Sequence, residues 1–180
     1  MASSAHIENH TITRALPEGY TSPLLAMVEK THSLGSTPAD TERSVCNSLA
    51  RVLTALATVA FESDTSRCLS TRGVTDAMEK LTMRRFDERK LGRALPNAPA
   101  WEFIMKTVLA HPHAVHKETV FCAEALHIAK RAAEAYTGEL LEHATAVAKS
   151  YGRDKISPSD IELVEAVQLF RPDGLHECTR

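Results

Sequence analysis

The chain has 180 residues, which is the size of one ordinary domain or of two small units that share a core. Hydrophobic residues make up 43% and charged residues 24%, and this composition argues against a disordered or collagen-like chain. The net charge of −2 does not by itself indicate a nucleic-acid-binding protein. The apolar runs predict no bilayer-spanning segment, and the N-terminus lacks the basic-then-apolar order of a signal peptide.

Helical periodicity dominates the first half of the chain. Residues 22–33 predict a short helix with a proline in its first turn and a glycine just past its end. Residues 40–61 place their apolar side chains on one stripe and predict a long helix, with Asp40 as the expected N-cap. After a polar loop, residues 71–83 predict a third, short helix.

The same short, long, short order follows in the second half. Residues 101–110 predict a fourth helix, and a long helical pattern covers residues 118–150 before Gly152 ends it. A last helix begins after Ser157, which is the expected N-cap. No stretch shows a convincing strand pattern. Two such units can bury their long helices against each other, although a generic six-helix bundle is an alternative on this pattern alone.

The charge is unevenly distributed. Residues 84–93 hold five basic and two acidic side chains, whereas the whole chain is weakly acidic. Such a run is either a solvated linker or a joint between two units that contacts phosphates, and the sequence leaves both interpretations open. The four cysteines are scattered without a Cys-x-x-Cys pair, which is typical of an intracellular reducing compartment and indicates no disulfide scaffold or zinc finger.

Several stretches resemble the core histones. Residues 137–144 (Thr-Gly-Glu-Leu-Leu-Glu-His-Ala) and 155–163 (Lys-Ile-Ser-Pro-Ser-Asp-Ile-Glu-Leu) resemble the long and last helices of histone two-A in pattern and spacing. Residues 46–49 (Cys-Asn-Ser-Leu) and 69–74 (Leu-Ser-Thr-Arg-Gly-Val) are similar to the long helix and second loop of histone two-B. A two-B-like unit ahead of a two-A-like unit resembles the histone doublets of large DNA viruses.

The resemblance implies an all-α fold in which two tandem histone folds in one chain pack as a handshake pseudo-heterodimer. In that arrangement the first loop of each unit lies beside the second loop of the other. The expected organisation is an N-terminal segment at 1–20, a first histone fold at 21–83, a basic linker at 84–98, a second histone fold at 99–170 and a short C-terminal tail at 171–180.

The resemblance also implies that the paired loops bind duplex DNA without sequence specificity, with a tetramer-forming histone pair or a second doublet as protein partner. The expected location is the chromatin of a large DNA virus, in the virion, the host nucleus or the viral factory. Charge reversal at Arg153 and Lys155 is expected to weaken DNA binding without unfolding the chain. The side chains expected to contact phosphates are Arg67, Ser70, Thr71, Arg72, Arg84, Arg85, Arg89, Lys90, Arg93, Lys117, Arg153 and Lys155.

Three alternatives remain open. The segment Glu134-Ala-Tyr136 and the run to Val167 also fit histone three, which would make the chain a doublet of the tetramer-forming type. The near-neutral charge and the absence of long basic tails suit a histone-fold protein-interaction module, of transcription-factor or signalling type, with little DNA binding. A generic helical enzyme or ligand-binding protein is disfavoured, because no polar constellation converges.

Two further groups of residues receive weaker interpretations. Glu139 and Glu142 fall at positions of the family's acidic patch, but a solvated helix face is the favoured interpretation. His111, His113 and His116 form a His-x-His-x-x-His pattern without a fourth zinc ligand at suitable spacing, so a polar loop is favoured. Catalytic and phosphate-loop motifs are absent from the sequence. We therefore expect no enzyme activity, metal, cofactor or small-molecule substrate.

Overall fold

The computed structural model describes residues 15–64, 68–81, 94–114 and 120–167. Helices and two very short strands appear in the same order in both halves. The first half contains α1 (Ser22–His32), α2 (Ala39–Ser63), β1 (Cys68–Leu69) and α3 (Thr71–Lys80). The second half contains α4 (Asn97–Leu109), β2 (Val120–Phe121), α5 (Ala123–Ser150) and α6 (Pro158–Val167).

The two long helices, α2 and α5, share one hydrophobic core. Leu53 and Leu56 of α2 are fully buried, as are Leu140 and Leu141 of α5, and all four belong to a single cluster of packed side chains. Burying one leucine side chain stabilises a fold by roughly 1.5–3 kcal/mol. A unit on its own would leave this leucine stripe in water, so each long helix depends on the other for its burial.

The two units pack head to tail. The long helices contact each other directly, and the first short helix of each unit packs on the long helix of the other, α1 on α5 and α4 on α2. The last short helices do the same, because α3 also contacts α5 and α6 also contacts α2. The predicted all-α handshake of two short-long-short units is therefore confirmed.

Helix α2 also meets a test for membrane-spanning segments. Within the described parts of the chain it is the one helix long and apolar enough to cross a bilayer, with a mean hydropathy of 1.4 over an 18-residue stretch. However, 56% of this apolar stretch is buried inside the fold. Its apolar side chains form the core that α2 shares with α5.

Three predicted helix starts are wrong, and one of them is the start of α4, which begins at Asn97 rather than at residue 101. The N-cap of α2 is Pro38, and Asp40 lies inside the first turn, where its carboxylate accepts a hydrogen bond from the N–H of Thr41 at 2.8 Å. The second long helix begins at Ala123, because the residues before it form strand β2 and bond to β1. A start at Glu118 is therefore excluded, although that residue itself lies outside the described ranges.

A buried carboxylate fixes the chain where it enters the second unit. Glu134 Oε1 on α5 accepts hydrogen bonds from the N–H groups of Ala94 at 2.7 Å and Leu95 at 3.2 Å. Its other oxygen lies 2.6 Å from the ammonium of Lys130, and the two side chains are 1% and 4% exposed. These bonds hold the chain immediately before α4.

The structure differs from the predicted domain bounds at two places. The other bounds remain predictions. Helix α4 starts at Asn97 and so includes the end of the expected linker, most of which lies outside the described residues. Leu16 and Tyr20, assigned to the N-terminal segment, are buried, and the Tyr20 hydroxyl donates to the Pro96 carbonyl at 2.6 Å. Residues 15–20 therefore pack against the fold.

Candidate nucleic-acid interface

Strands β1 and β2 join the second loop of the first unit to the first loop of the second unit. They pair in parallel, with Cys68 opposite Val120 and Leu69 opposite Phe121. The N–H of Cys122 extends the pairing by donating to the Leu69 carbonyl at 3.1 Å. We call this region the β-loop pair. It is one of the two loop pairs that the handshake arrangement requires.

Two helices begin side by side at the β-loop pair. Ser70 caps α3, accepting a hydrogen bond from the N–H of Gly73 at 3.0 Å and donating to the carboxylate of Asp64. Cys122 is the N-cap residue of α5, and its Sγ lies 3.8 Å from the hydroxyl oxygen of Thr71 in the first turn of α3. The positive ends of both helix dipoles therefore meet here, which favours anions.

The surroundings of the Cys122 thiol favour negative charge on its sulfur. The N–H of Ala125, the hydroxyl of Thr71 and the N–H of Glu124 lie near the sulfur and lower its pKa below the ordinary value. These donors stabilise negative charge on the sulfur. A phosphate oxygen near this position would meet the same donors and the same helix ends.

Arg72 supplies the positive charge at the β-loop pair. Its side chain is 91% exposed, and its Nε lies 3.9 Å from the carboxylate of Asp76 one helical turn away. A pair this long and this exposed is worth little, so the guanidinium is available to a stronger anion. Arg72 thus lies beside two helix N-termini with its donors in solvent.

The other loop pair joins residues 34–38 to residues 151–157, and we call it the Gly35 loop pair. The N–H of Gly35 donates to the Asp154 carbonyl at 2.8 Å, and the Thr41 hydroxyl donates to the Ile156 carbonyl at 3.3 Å. A Cβ on Gly35 would lie only 2.9 Å from Cε of Lys155. The aliphatic stem of Lys155 therefore lies against the glycine, and the residue is exposed.

Arg153 is held within the protein. Its guanidinium donates to both carboxylate oxygens of Asp160 at 2.7 and 2.6 Å and to the Ser157 hydroxyl at 3.1 Å. It also lies over the ring of Tyr151, 5.6 Å from the ring centre. Because its side chain is still 39% exposed, part of the guanidinium remains open to solvent.

This pairing changes one expectation. An acidic side chain at position 153 would face Asp160, which is only 3% exposed and also accepts bonds from the Ser157 N–H and hydroxyl. Two carboxylates in contact repel each other, and here one of them is buried. Charge reversal at Arg153 would therefore disturb the fold, contrary to the expectation that it leaves the fold intact. The expectation for Lys155 is unchanged.

The electrostatics of Asp160 follow from the same contacts. Burial by itself would raise the pKa of this carboxyl. The hydrogen bonds from Arg153 and Ser157 outweigh burial, and the pKa of Asp160 lies below its ordinary value. The hydrogen bond to Asp160 correspondingly raises the pKa of Arg153.

The structure thus groups the described members of the expected DNA-binding set into two clusters. The β-loop pair holds Ser70, Thr71 and Arg72, and the Gly35 loop pair holds Arg153 and Lys155. DNA contact by these residues stays a prediction. The remaining members lie outside the described residues: Arg67, Arg84, Arg85, Arg89, Lys90, Arg93 and Lys117.

The weaker predicted sites lie on α5 and in the loop between α4 and β2. Glu139 is half-buried and Glu142 is exposed on α5, and their role in an acidic patch stays a prediction. His111 Nε2 lies 3.2 Å from a carboxylate oxygen of Glu62. No group of three or more metal-ligating side chains occurs in the described ranges, and His116 lies outside them.

Comparison with known proteins finds a similar structure but no similar sequence. No protein-family model and no curated protein matches the sequence. Among solved structures, the chain is similar to the histone from Methanopyrus kandleri, with a TM-score of 0.62 and 14% sequence identity. The match covers 88% of this chain and 97% of that chain. This chain has the histone fold. At this identity the likeness establishes the fold alone.

Two residues of this histone-fold chain escaped the sequence reasoning. Asp160 was not recognised as the partner of Arg153, although its place three residues after Ser157 is typical of a side chain that bonds back to a helix start. Cys122 was not recognised as the N-cap of α5, since cysteine is not among the preferred capping residues. Only the pairing of β1 with β2 makes that position visible.

Proposed function

We propose that this chain is a histone doublet of a large DNA virus that binds duplex DNA without sequence specificity and packages it with a second histone pair. The observation that carries the proposal is the β-loop pair. There the N-termini of α3 and α5 lie side by side, with the hydroxyl of Thr71 between them and the exposed guanidinium of Arg72 beside them. Donors of this kind bind phosphate oxygens and read no base.

The Gly35 loop pair offers a second contact of the same type. Lys155 is exposed, and the open part of Arg153 lies two residues away. The resemblance to two-B-like and two-A-like histones supports the choice of a tetramer-forming pair, or another doublet, as protein partner. Viral chromatin, in the virion or in the nucleus or factory of the host, follows from the likeness to viral doublets. Among the described residues of the two loop pairs, we find no arrangement that indicates catalysis.

The test compares DNA binding by the native chain with two matched lysine variants. We expect Lys155→Ala to weaken binding to duplex DNA and to lower the slope of log affinity against log salt by about one. Lys106→Ala is the control, because Lys106 is an exposed lysine within helix α4 rather than in a loop. Its ammonium lies 2.5 Å from the carboxylate of Glu102. Equal affinities for the two variants would contradict the loop assignment.

Assembly is tested separately. Gel shifts at low and physiological salt, with and without tetramer-forming histones, should give a discrete nuclease-protected particle only when both components are present. Smearing that disappears toward about 200 mM salt, with no particle, would instead favour a histone-fold interaction module.

A doublet of the tetramer-forming type is the second candidate, and exposed apolar side chains on α6 favour it. Leu163 is 46% exposed and Val167 is 74% exposed, and their spacing places them on one face of the helix. Such side chains suit a four-helix contact between the C-terminal ends of two copies. Dimers of the chain that dissociate when Leu163 is replaced by glutamate would favour this candidate, and monomers at all concentrations would exclude it.

A further inference from the structure

One face of α2 lines an open groove of about 1000 Å³. Its floor includes Ala55, Thr58 and Val59, and Phe103 of α4 and Leu81 at the end of α3 contribute to its walls. Helix α6 contributes side chains at the other end. Apolar and polar side chains thus line the groove together, and they come from four helices of both units.

Helix α6 runs along the first part of the same α2 face. At its start, Thr41 of α2 bonds to the Ile156 carbonyl at 3.3 Å. Near its end, Arg51 of α2 bonds to both carboxylate oxygens of Glu165 at 2.8 and 2.6 Å. Helix α6 therefore advances toward the C-terminus of α2, and its last described residue, Val167, lies two positions after Glu165, which bonds to Arg51. The groove lies along the same face of α2 and extends from Ser44 past Arg51 to Glu62.

We propose that the C-terminal segment, residues 168–180, binds in this groove and continues the path of α6 along α2. The segment opens with Gln168, and Leu169, Phe170 and Arg171 follow it. The two apolar side chains suit the apolar members of the lining, Ala55, Val59 and Phe103. Glu62 and Glu162 place carboxylates along the groove. The first residues beyond α6 therefore match the groove in both polarity and charge.

The lengths also agree. Helix α2 covers about 17 Å between Arg51 and Glu62. In an extended conformation, four residues after Val167 would span about 13 Å. On the proposed path this would bring Phe170 over the middle of the floor and Arg171 within side-chain reach of Glu62. Because the segment is tethered at the near end of the groove, its local concentration is of millimolar order. A free partner or a second copy would have to displace it.

Disulfide trapping in the full chain tests this placement. In a background with the four native cysteines replaced by alanine, we expect Thr58→Cys and Phe170→Cys together to form an intrachain disulfide under mild oxidation. Thr75→Cys with Phe170→Cys is the matched control, since Thr75 is an exposed threonine on α3 that does not line the groove. No bond at position 58, equal bonds at both positions, or a bond between two chains would overturn the proposal.

Proteolysis provides a second test that keeps the native cysteines. Chymotrypsin should cleave after Phe170 at least about tenfold more slowly in the native chain than in a free peptide of residues 164–180, since cleavage follows the open population. Thr58→Arg should remove most of this protection, whereas Thr75→Arg should keep it. Cleavage of the native chain at the rate of the free peptide, or equal protection in both variants, would contradict the proposal.

Discussion

Arg153 and Asp160 form a two-pronged ion pair that ties the loop before α6 to the first turn of that helix. Arg153, which the sequence assigns to DNA binding, therefore also stabilises the fold. Arg153→Ala should therefore lower the urea midpoint of unfolding, because it leaves the carboxylate of Asp160, 3% exposed, without its cation. Lys155→Ala is the control and should leave the midpoint unchanged. A native midpoint in both variants would show that the pair contributes nothing to stability.

The same pair predicts a dependence of stability on pH. The folded-state pKa of Asp160 is lowered, so its ionised form stabilises the fold at neutral pH. This contribution is lost as the pH falls below the unfolded value of about 3.9 and through the lower folded value. Urea midpoints of the native chain and of Asp160→Asn should therefore differ at pH 6 and converge in acid. A difference that stays constant down to pH 3 would contradict this assignment.

Two helical glycines should respond in opposite directions to alanine substitution. A Cβ on Gly73 would lie 2.8 Å from the backbone carbonyl oxygen of Ala60, which cannot move without shifting α2. Gly73→Ala should cost about 1–3 kcal/mol in the free energy of unfolding. A Cβ on Gly138 would meet nothing closer than Leu24 at 4.0 Å, so Gly138→Ala should stabilise by about 0.5–1 kcal/mol. Urea unfolding measures both, and effects of the same sign would refute the packing argument.

Replacing only one member of the buried pair of Glu134 and Lys130 should lower the free energy of unfolding. Glu134→Gln keeps an acceptor for the N–H groups of residues 94 and 95 but leaves the ammonium of Lys130 buried without a counter-charge. We expect a loss of about 3 kcal/mol.

Adding Lys130→Met to Glu134→Gln should recover part of that loss, and the double-mutant cycle should give a coupling of at least about 1 kcal/mol. Additive effects in urea unfolding would show that the two charges act independently.

Periodicity was sufficient to predict the helices but not all of their ends. The stripe of α2 repeats regularly because its core contacts run along the whole helix, and that signal is written in the sequence. The start of α5 is decided by the hydrogen bonds between β1 and β2, which join residues about fifty positions apart in the chain. Local patterns do not contain such a contact, and the apolar pair Val120–Phe121 therefore resembles helix.

The candidate interface was predictable in outline only. The spacing of loops and helices in the sequence predicted that Thr71, Arg72 and Lys155 lie in the loop pairs, and the structure places them there. The sequence could not show that Arg153 is paired, because the pairing depends on the path of the loop. The turn at Gly152, with its φ of +70°, directs the loop so that Arg153 bonds to Asp160. The groove along α2 was also invisible, since it arises from four helices that are distant in the sequence.

Because each loop pair takes one loop from either unit, and both units are covalently joined, their association is unimolecular. Diluting the protein does not separate the two long helices, and the midpoint of unfolding of one chain does not depend on its concentration in the way that of an obligate two-chain dimer does. Synthesis of one polypeptide also fixes the ratio of the two units at one to one. Unpaired halves, with their leucine stripes exposed to aggregation, are not produced.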